Sequence, residues 1–208
     1  MRKLKIDLDE HTNIITPSID PWAFFLESKE PFAYIEAAFT PNQCKSIIEM
    51  GSKLKLKDAG IGTACKVDQS IRNCKSANIP AAICNRWIFQ KITDCCLSLN
   101  ESFYNFHLSG FSEGVTFIKY DAPDGGYIPH VDCVFNGAIR KLSVSVQLSD
   151  SDDYEGGELI LNDGRELILP RGIGTVAVFP SYTLHEVRPI TKGTRYSLVA
   201  WANGDAFR

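Results

Sequence analysis

The sequence lacks the long apolar runs and the one-sided charge that would assign it to a membrane or to nucleic acid. No run approaches the roughly 18 apolar residues that a bilayer-spanning helix needs. The formal net charge is −3 at pH 7, which provides no basic surface of the kind that binds phosphate backbones or anionic lipids. The first residues are basic but no signal-type apolar stretch follows them. We therefore expect a cytoplasmic protein with neither nucleic acid nor membrane as its partner.

Cysteine pairs at metal-binding spacing are also missing. The seven cysteines are odd in number and irregularly spaced: Cys44, Cys65, Cys74, Cys84, Cys95, Cys96 and Cys133. With no Cys-x-x-Cys pair, a zinc ribbon is excluded, and the irregular spacing argues against a disulfide framework. We expect reduced thiols. Cys133 follows the candidate metal triplet described next, but strand alternation turns it to the opposite face, so we expect it to pack rather than bind metal.

Histidine is scarce, with four in the chain, and two of them stand in a pattern that suits a metal ion. His130 and Asp132 lie in an extended segment, so both side chains point to one face, roughly 6–7 Å apart along the backbone. His185 is the best-placed third ligand. Two histidines and one carboxylate that leave positions open form the facial triad typical of non-haem Fe(II) oxygenases. Ten residues later, Arg195 is a permanent cation suited to gripping a carboxylate with two hydrogen bonds.

Alternation along two later strands predicts which side chains face this site. In residues 142–148 the apolar side chains take the packed face, and the other face is either the wet interior of a barrel or solvent-exposed. That second face carries Ser143, Ser145 and Gln147. In residues 195–201, one face carries Arg195, Ser197, Val199 and Trp201. An arginine and a tryptophan on one inward face need a ligand or a partner to justify their burial.

The order of elements predicts the fold class. Helical patterns precede about residue 101, and short strands separated by Gly, Pro and Asp turns follow it, without βαβ alternation. We therefore expect an α+β protein: a double-stranded β-helix (jelly-roll) core backed by N-terminal helices. A single domain would span residues 1–208, with helical support over about 1–100 and a catalytic core over about 101–204. Residues 55–69 are predicted to be a mobile lid and, with residues 133–139, to hold substrate specificity.

A set of features within residues 103–201 occurs in an order typical of one enzyme family. The features are Tyr120, Tyr127, His130-x-Asp132, Glu155-Gly156-Gly157, His185 and Arg195. A lone His-x-Asp triplet is a weak signal, whereas the complete ordered set is specific. In this set the chain resembles the 2-oxoglutarate and Fe(II)-dependent dioxygenases, and among them the prolyl 4-hydroxylases and their bacterial PKHD-type relatives.

This resemblance implies a metal centre and its cosubstrates. Fe(II) would bind His130, Asp132 and His185, with 2-oxoglutarate, O₂ and ascorbate as the other cofactors. Arg195 would pair with the distal carboxylate of 2-oxoglutarate, and Tyr120 would lie nearby. The presence of Asp132 implies hydroxylation, because the related halogenases lack this carboxylate.

The resemblance also places further residues around the cofactor and the substrate. Tyr127 would line the pocket towards the substrate, Arg140 would contact a peptide and Trp201 would sit beside the metal. Gln147 stands where the family often has a tyrosine, so we expect its amide to donate to the distal carboxylate, with Ser197 also near the cosubstrate. Taken alone, the two tyrosines fit ordinary half-buried strand aromatics equally well.

For function, we expect hydroxylation of a prolyl residue in a peptide or protein, with release of succinate and CO₂. Hydroxylation of a non-prolyl residue or of a small molecule is the alternative on the same scaffold. More remote alternatives are a zinc hydrolase using the same ligands and a non-enzymatic jelly-roll binding module. The oligomeric state is left open.

Overall fold

The computed structural model describes residues 30–61, 66–132, 134–135 and 137–206, which form two helices and a series of antiparallel strands from 2 to 15 residues long. Helix α1 spans Pro41–Ser52 and helix α2 spans Arg86–Leu99. Short helical turns are Ile83–Asn85, Asn100–Tyr104 and Ser151–Asp153. The strands, in chain order, are β1 Ala33–Ile35, β2 Lys57–Asp58, β3 Gly60–Ile61, β4 Lys66–Val67, β5 Arg72–Asn73, β6 Lys75–Asn78, β7 Leu108–Gly110, β8 Thr116–Asp121, β9 Gly126–His130, β10 Val134–Phe135, β11 Ala138–Gln147, β12 Tyr154–Gly156, β13 Leu159–Asn162, β14 Glu166–Ile168, β15 Val176–Pro180, β16 Leu184–Val187 and β17 Ile190–Gly204.

Helix α1 begins at a capping box. The Thr40 hydroxyl accepts a hydrogen bond from the Gln43 backbone N–H, and the Gln43 side chain accepts one from the Thr40 N–H. Pro41 occupies the first helical position, where no backbone donor is needed. The buried face of α1 then carries Cys44 and Ile47.

Two antiparallel sheets face each other and form the predicted jelly roll. The larger sheet has the order β1-β15-β11-β17-β8-β6-β2, and the smaller sheet has the order β14-β13-β16-β9-β5. Strand β10 pairs with β11, strands β7 and β12 pair with β17, and β3 and β4 form a separate hairpin.

The part of the chain before residue 101 contributes strands to both sheets as well as the two helices. Strands β1, β2 and β6 extend the larger sheet, and β5 forms the edge of the smaller one. Residues 55–69 were predicted to be one mobile lid. In their described part they form β2 and the paired strands β3 and β4, so backbone hydrogen bonds hold these residues, and closure over the site stays a prediction. Residues 62–65, and with them the thiol predicted at Cys65, lie outside the described residues, as do residues 1–29 and Cys133.

Both helices pack on the outer face of the larger sheet. Leu142, Val144 and Val146 of β11 are at most 2% exposed and join one apolar core with Ile47 of α1 and Ile92 of α2. The predicted packed face of this strand is therefore confirmed. Its other face turns towards the smaller sheet, where a cavity opens between the two sheets.

The described cysteines are all free, and Cys44, Cys74, Cys95 and Cys96 are buried while Cys84 is exposed. Burial raises the pKa of the Cys44 thiol to about 11 and of the Cys96 thiol to about 12, so both are protonated and unreactive at neutral pH. Within the described residues, neither helix has the length and apolar character needed to cross a membrane.

Candidate metal centre

Strand pairing brings the predicted metal ligands together. His130 at the end of β9 is the direct cross-strand partner of His185 on β16, and Asp132 follows two residues later. His185 Nε2 lies 3.4 Å from Asp132 Oδ2, and His130 Nε2 lies 3.9 Å from Asp132 Oδ1. One ligand atom from each of the three residues lies within 4.8 Å of the others. The sequence therefore predicted which side chains converge.

The hydrogen bonds of the two imidazoles suit metal ligation. His130 Nδ1 lies 2.8 Å from the Ile128 carbonyl oxygen, and His185 Nδ1 lies 2.9 Å from the Thr183 carbonyl oxygen. A carbonyl only accepts, so each Nδ1 carries the proton and each Nε2 is directed at Asp132. Ligating histidines are typically held in this way by a backbone carbonyl behind the ring. Two imidazole nitrogens and one carboxylate fit an Fe(II) ion.

Asp132 is oriented by three groups besides the histidines. Trp201 Nε1 donates to its Oδ2 at 2.8 Å, the Ser143 hydroxyl donates to the same oxygen at 2.9 Å, and the Asp132 backbone N–H donates to the Ser181 carbonyl at 2.8 Å. Burial by itself would raise the pKa of Asp132, but its contact with His185, the nearby His130 imidazole and the hydrogen bond from the Trp201 N–H together hold it well below its usual range. The carboxylate is therefore ionised and fixed in direction.

His130 is kept neutral by its surroundings. Burial is the main cause that lowers its pKa to about 4, and the charges of His185 and Arg72 act in the same direction. Its ring stacks on Tyr127, with ring centroids 3.4 Å apart and an interplanar angle of 20°. A neutral imidazole at physiological pH can bind a metal ion without first losing a proton.

Arg140 was predicted to contact a peptide, which stays a prediction, and the structure shows which groups inside the protein it contacts. Its Nε donates to Glu113 at 2.7 Å and its Nη2 donates to the other oxygen of the same carboxylate, a two-pronged ion pair. The guanidinium carbon lies 3.9 Å from the Trp201 ring centre, and Nη1 lies 3.4 Å from the Asp132 carbonyl. Arg140 is only 7% exposed, and its contacts hold Trp201 and Asp132 in position. Trp201 was predicted to sit beside the metal, and the structure places it against Asp132.

A cavity of about 440 Å³ lies between the sheets and leads from the three ligands into the protein. Strand β17 contributes Arg195, Ser197, Val199 and Trp201 to its wall, and β11 contributes Ser143 and Ser145. The inward faces predicted for Arg195 and for Ser143 are thus where the structure places them. Tyr120 also lines the cavity, with its ring centre 5.5 Å from the Arg195 guanidinium carbon. Burial raises the pKa of the Tyr120 phenol, so its hydroxyl remains a donor.

Arg195 is buried and held from behind by Gln147. Arg195 is 4% exposed, and its Nε donates to Gln147 Oε1 at 3.1 Å. The Gln147 amide donates to the Tyr154 hydroxyl at 2.9 Å and to the Ser149 carbonyl at 3.2 Å. Since both contacts occupy that amide, the predicted donation from Gln147 to a cosubstrate is not what the structure has. Gln147 instead positions Arg195.

The Glu155-Gly156-Gly157 segment makes room for this arginine. Gly157 has φ +66, and a Cβ there would lie 2.2 Å from Ile190 Cδ1 and 3.2 Å from Arg195 Cδ. Glycine is therefore required both by the backbone angle and by the space. In the sequence this segment was one of the ordered family features, without a link to Arg195.

Three further residues of the site were missed by the sequence analysis: Arg72, Glu113 and Tyr154. Glu113 contacts Arg140 from 27 residues earlier in the chain, and Tyr154 contacts Gln147 from 7 residues later, so neither contact follows from the spacing of residues along one strand. Arg72 lines the same cavity as Ser76 and Asn78. Strand alternation does not link it to them, because Arg72 lies on β5 of the smaller sheet and the other two lie on β6 of the larger sheet.

The geometry defines a jelly-roll protein with a facial triad of metal ligands, and the comparisons with known proteins agree. Residues 115–203 match the family model of the 2OG-Fe(II) oxygenase superfamily. Residues 115–203, which include the three candidate metal ligands and Arg195, thus resemble this superfamily, and the resemblance predicted from the motifs is confirmed.

Similar sequences are PKHD-type hydroxylases. One from Idiomarina loihiensis is 38% identical over 71 residues, which is 34% of this chain and 33% of the relative. Another from Synechococcus sp. (strain CC9605) is 46% identical over 78 residues, 35% of this chain and 34% of the relative. The chain thus spans about a third of the length of these curated relatives.

Solved structures share the fold over most of the chain. A prolyl-4-hydroxylase from Pseudomonas putida has a TM-score of 0.67 at 20% identity and covers 85% of this chain and 94% of its own. A prolyl hydroxylase from Trichoplax adhaerens, in complex with a hypoxia inducible factor peptide fragment, has a TM-score of 0.68 at 20% identity, with 83% of each chain covered. At this identity the likeness is one of fold.

Proposed function

We propose that the protein is a 2-oxoglutarate- and Fe(II)-dependent oxygenase that hydroxylates an unactivated C–H bond, with a prolyl residue of a peptide or protein as its substrate. The observation that carries this proposal is the pairing of two features in one cavity. Three metal ligands converge at one end, and the buried cation Arg195 lies in the same cavity with only a neutral side chain, Gln147, behind it. Among the described residues, no carboxylate lies within ion-pair distance of Arg195.

His130, Asp132 and His185 would hold the Fe(II), and the bound iron would supply oxidative decarboxylation of 2-oxoglutarate to succinate and CO₂ together with the hydroxylation. The backbone carbonyls of Ile128 and Thr183 keep both imidazole Nε2 atoms directed at the metal position. Trp201 and Ser143 hold the Asp132 carboxylate in one orientation.

Arg195 would bind the distal carboxylate of 2-oxoglutarate. A guanidinium buried without an anion is unfavourable, and a dicarboxylate that enters this cavity provides one. The neutral Tyr120 hydroxyl beside Arg195 would donate to the same cosubstrate, and the Ser197 hydroxyl on the same strand face lines its path. Tyr127, stacked on His130, would face the substrate side of the metal.

The prolyl substrate is supported by the fold of the two prolyl hydroxylases, one of which is bound to a peptide. Ascorbate as a further cofactor, a cytoplasmic location and a single domain over residues 1–208 stay predictions. A hydrolytic use of the same ligands is disfavoured. Of the carboxylates that line the described cavity, Asp132 faces the metal position and Glu113 is occupied by Arg140, which leaves no acid free as a general base.

Anaerobic titration of the Fe(II) protein with 2-oxoglutarate tests this proposal. We expect a weak visible absorption band when metal and cosubstrate bind together, and His185→Ala should abolish it. Arg195→Met should raise the apparent 2-oxoglutarate constant about ten- to hundredfold, through the loss of about 1.5–3 kcal/mol of charged hydrogen bonding. Arg188→Met is the matched control, since Arg188 is half exposed and pairs with Glu166 outside the cavity. No band in the native protein, or equal constants in both variants, would contradict the assignment.

A further inference from the structure

Arg72 is a second cation of the cavity that the proposed chemistry does not use. It lies on β5, the edge strand of the smaller sheet, where it pairs with Tyr127. Its Nη1 donates to the Gly60 carbonyl at 3.1 Å, and its guanidinium carbon lies 4.8 Å from the Tyr127 ring centre. Its Nε is buried and has no hydrogen-bond partner. The Arg72 guanidinium is thus held in place by the Gly60 carbonyl and the Tyr127 ring, while its Nε–H makes no hydrogen bond.

Arg72 also lacks a counter-charge. Within the described residues, no carboxylate lies within 4.0 Å of its guanidinium, whereas Arg140 is paired with Glu113 and Arg171 with Glu158. Burial of an arginine is normally accompanied by such a partner. Cys74 and Tyr120, the groups beside it, are neutral because burial raises the pKa of both. No group near Arg72 therefore neutralises it.

The charges of the loaded site would leave Arg72 unbalanced as well. A divalent metal with Asp132 leaves one positive charge, Arg195 adds a second, and the 2-oxoglutarate dianion cancels both. Arg140 is already neutralised by Glu113. The remaining positive charge is that of Arg72, whose guanidinium lies against the Tyr127 ring that in turn stacks on His130.

We propose that Arg72 recognises a carboxylate of the substrate, so that the protein acts on a peptide carrying an acidic group close to the target residue. This inference rests on the proposed function and names the chemistry of its substrate. The guanidinium fork forms paired, charge-assisted hydrogen bonds with a carboxylate. Ser76 and Asn78, which lie on strand β6 of the larger sheet and also line the cavity, provide neutral polar contacts for the adjoining peptide.

The test compares blocked pentapeptides centred on proline that differ only by Asp or Asn at each of the two positions on either side. A further pair has Asn throughout and ends in a free carboxylate or an amide, which separates an acidic side chain from a chain terminus as the source of the anion. Binding is measured by calorimetry to the Fe(II) and 2-oxoglutarate-loaded protein without O₂, so no turnover intervenes. We expect at least one acidic peptide to bind about tenfold or more tightly than its amide partner.

Arg72→Met should remove this preference and leave the 2-oxoglutarate constant unchanged, and Arg72→Lys should keep part of it. The control Lys75→Met removes the same charge from an exposed residue of the neighbouring strand β6 and should keep the full preference. Equal binding of every acid and amide pair to the native protein would overturn the inference. It would also be overturned if Arg72→Met weakened 2-oxoglutarate binding and kept the preference. Failure of the native protein to form the absorption band would instead reject the proposed function itself.

Discussion

At the scale of single residues, the orientation of Asp132 depends on a tryptophan whose ring is itself held in place. Trp201 Nε1 donates to Asp132 Oδ2 at 2.8 Å, and Arg140 lies over the Trp201 ring at 3.9 Å. Removal of the indole N–H leaves the ring contact and deletes only the hydrogen bond. Groups that orient metal ligands typically contribute ten- to hundredfold in metal affinity.

Trp201→Phe should therefore weaken metal binding about tenfold or more while the protein stays folded. Anaerobic titration with Fe(II), followed by a competing chelator, measures this affinity directly. Trp87→Phe is the matched control, because Trp87 is 36% exposed on α2 and belongs to no part of the site. Equal metal affinities in the two variants would show that the Ser143 hydroxyl alone suffices to orient Asp132.

The support behind Arg195 gives a graded prediction for the cosubstrate. Gln147→Leu removes the neutral acceptor of the Arg195 Nε–H, so the guanidinium loses its orientation but keeps its charge. We expect the 2-oxoglutarate constant to rise about three- to tenfold, from about 1 kcal/mol of lost hydrogen bonding, which is less than for Arg195→Met. Tyr154→Phe removes the hydroxyl that accepts from the Gln147 amide, so it affects Arg195 only through Gln147. It should therefore raise the 2-oxoglutarate constant by less than Gln147→Leu does. A larger effect for Tyr154→Phe than for Gln147→Leu would contradict this order.

The sequence predicted those site residues whose placement follows from alternation. His130 and Asp132 share a face because they are two apart on a strand, and the inward face of β17 follows from the same rule. The partner of Gln147 could not be predicted, because Tyr154 arrives through the pairing of β12 with β17 and not through local spacing. The counter-charge of Arg140 was missed for the same reason.

At the scale of elements, helix α1 approaches the larger sheet so closely that one helical position admits no side chain. A Cβ on Gly51 would lie 2.6 Å from the Phe117 ring, and Phe117 is fully buried and stacked on Tyr196. Alanine improves helix propensity by about 0.5–1 kcal/mol. Overpacking against a ring that cannot move away costs about 1–3 kcal/mol, so it is the larger effect.

Gly51→Ala should therefore lower the free energy of unfolding by about 1–2 kcal/mol, although it replaces glycine in a helix. Denaturant unfolding monitored by circular dichroism measures the change. Ser52→Ala, at the exposed next position of α1, should change stability by no more than a few tenths of a kcal/mol. If Gly51→Ala were as stable as the native protein, the helix would have to sit further from the sheet.

The short strands at the sheet edges were the hardest elements to predict from the sequence. The segment with β2, β3 and β4 is rich in lysine and glycine, which is typical of loops, and its strands are two residues long. Pairing with β6 and between β3 and β4 overrides this local preference. The Thr40 cap and the alternating apolar face of β11, in contrast, are local signals that the fold follows.

At the scale of the whole molecule, the metal-free protein should be sensitive to acid through its ligand cluster. The unfolded chain protonates a histidine near pH 6.5, whereas burial lowers the pKa of His130 in the folded protein to about 4. Between these values the unfolded state binds a proton that the folded state does not, so the stability falls as the pH falls from about 6.5 to about 4. Asp132, with its lowered pKa, adds to this loss below about pH 4.

Unfolding in the presence of a chelator, repeated between pH 7.5 and 4.5, measures this dependence. His130→Asn should flatten the slope over that range, because asparagine takes up no proton. Saturation with a divalent metal should stabilise the protein throughout this range, because His130 is neutral in the folded protein above about pH 4 and can bind the metal without losing a proton. An equally steep slope in His130→Asn would assign the acid sensitivity to other groups.

The continuous pairing of β17 has a consequence for the length of the 2-oxo diacid that can bind as cosubstrate. Arg195 and Trp201 stand on one strand that is hydrogen-bonded to β8 on one side and to β11 on the other. A slip of one residue would turn every inward side chain outward, so the strand cannot adjust by sliding. The distance between Arg195, which would bind the distal carboxylate, and the metal ligands is therefore fixed by the strand register. We expect it to select five-carbon 2-oxo diacids over oxaloacetate, one methylene shorter, and over 2-oxoadipate, one methylene longer.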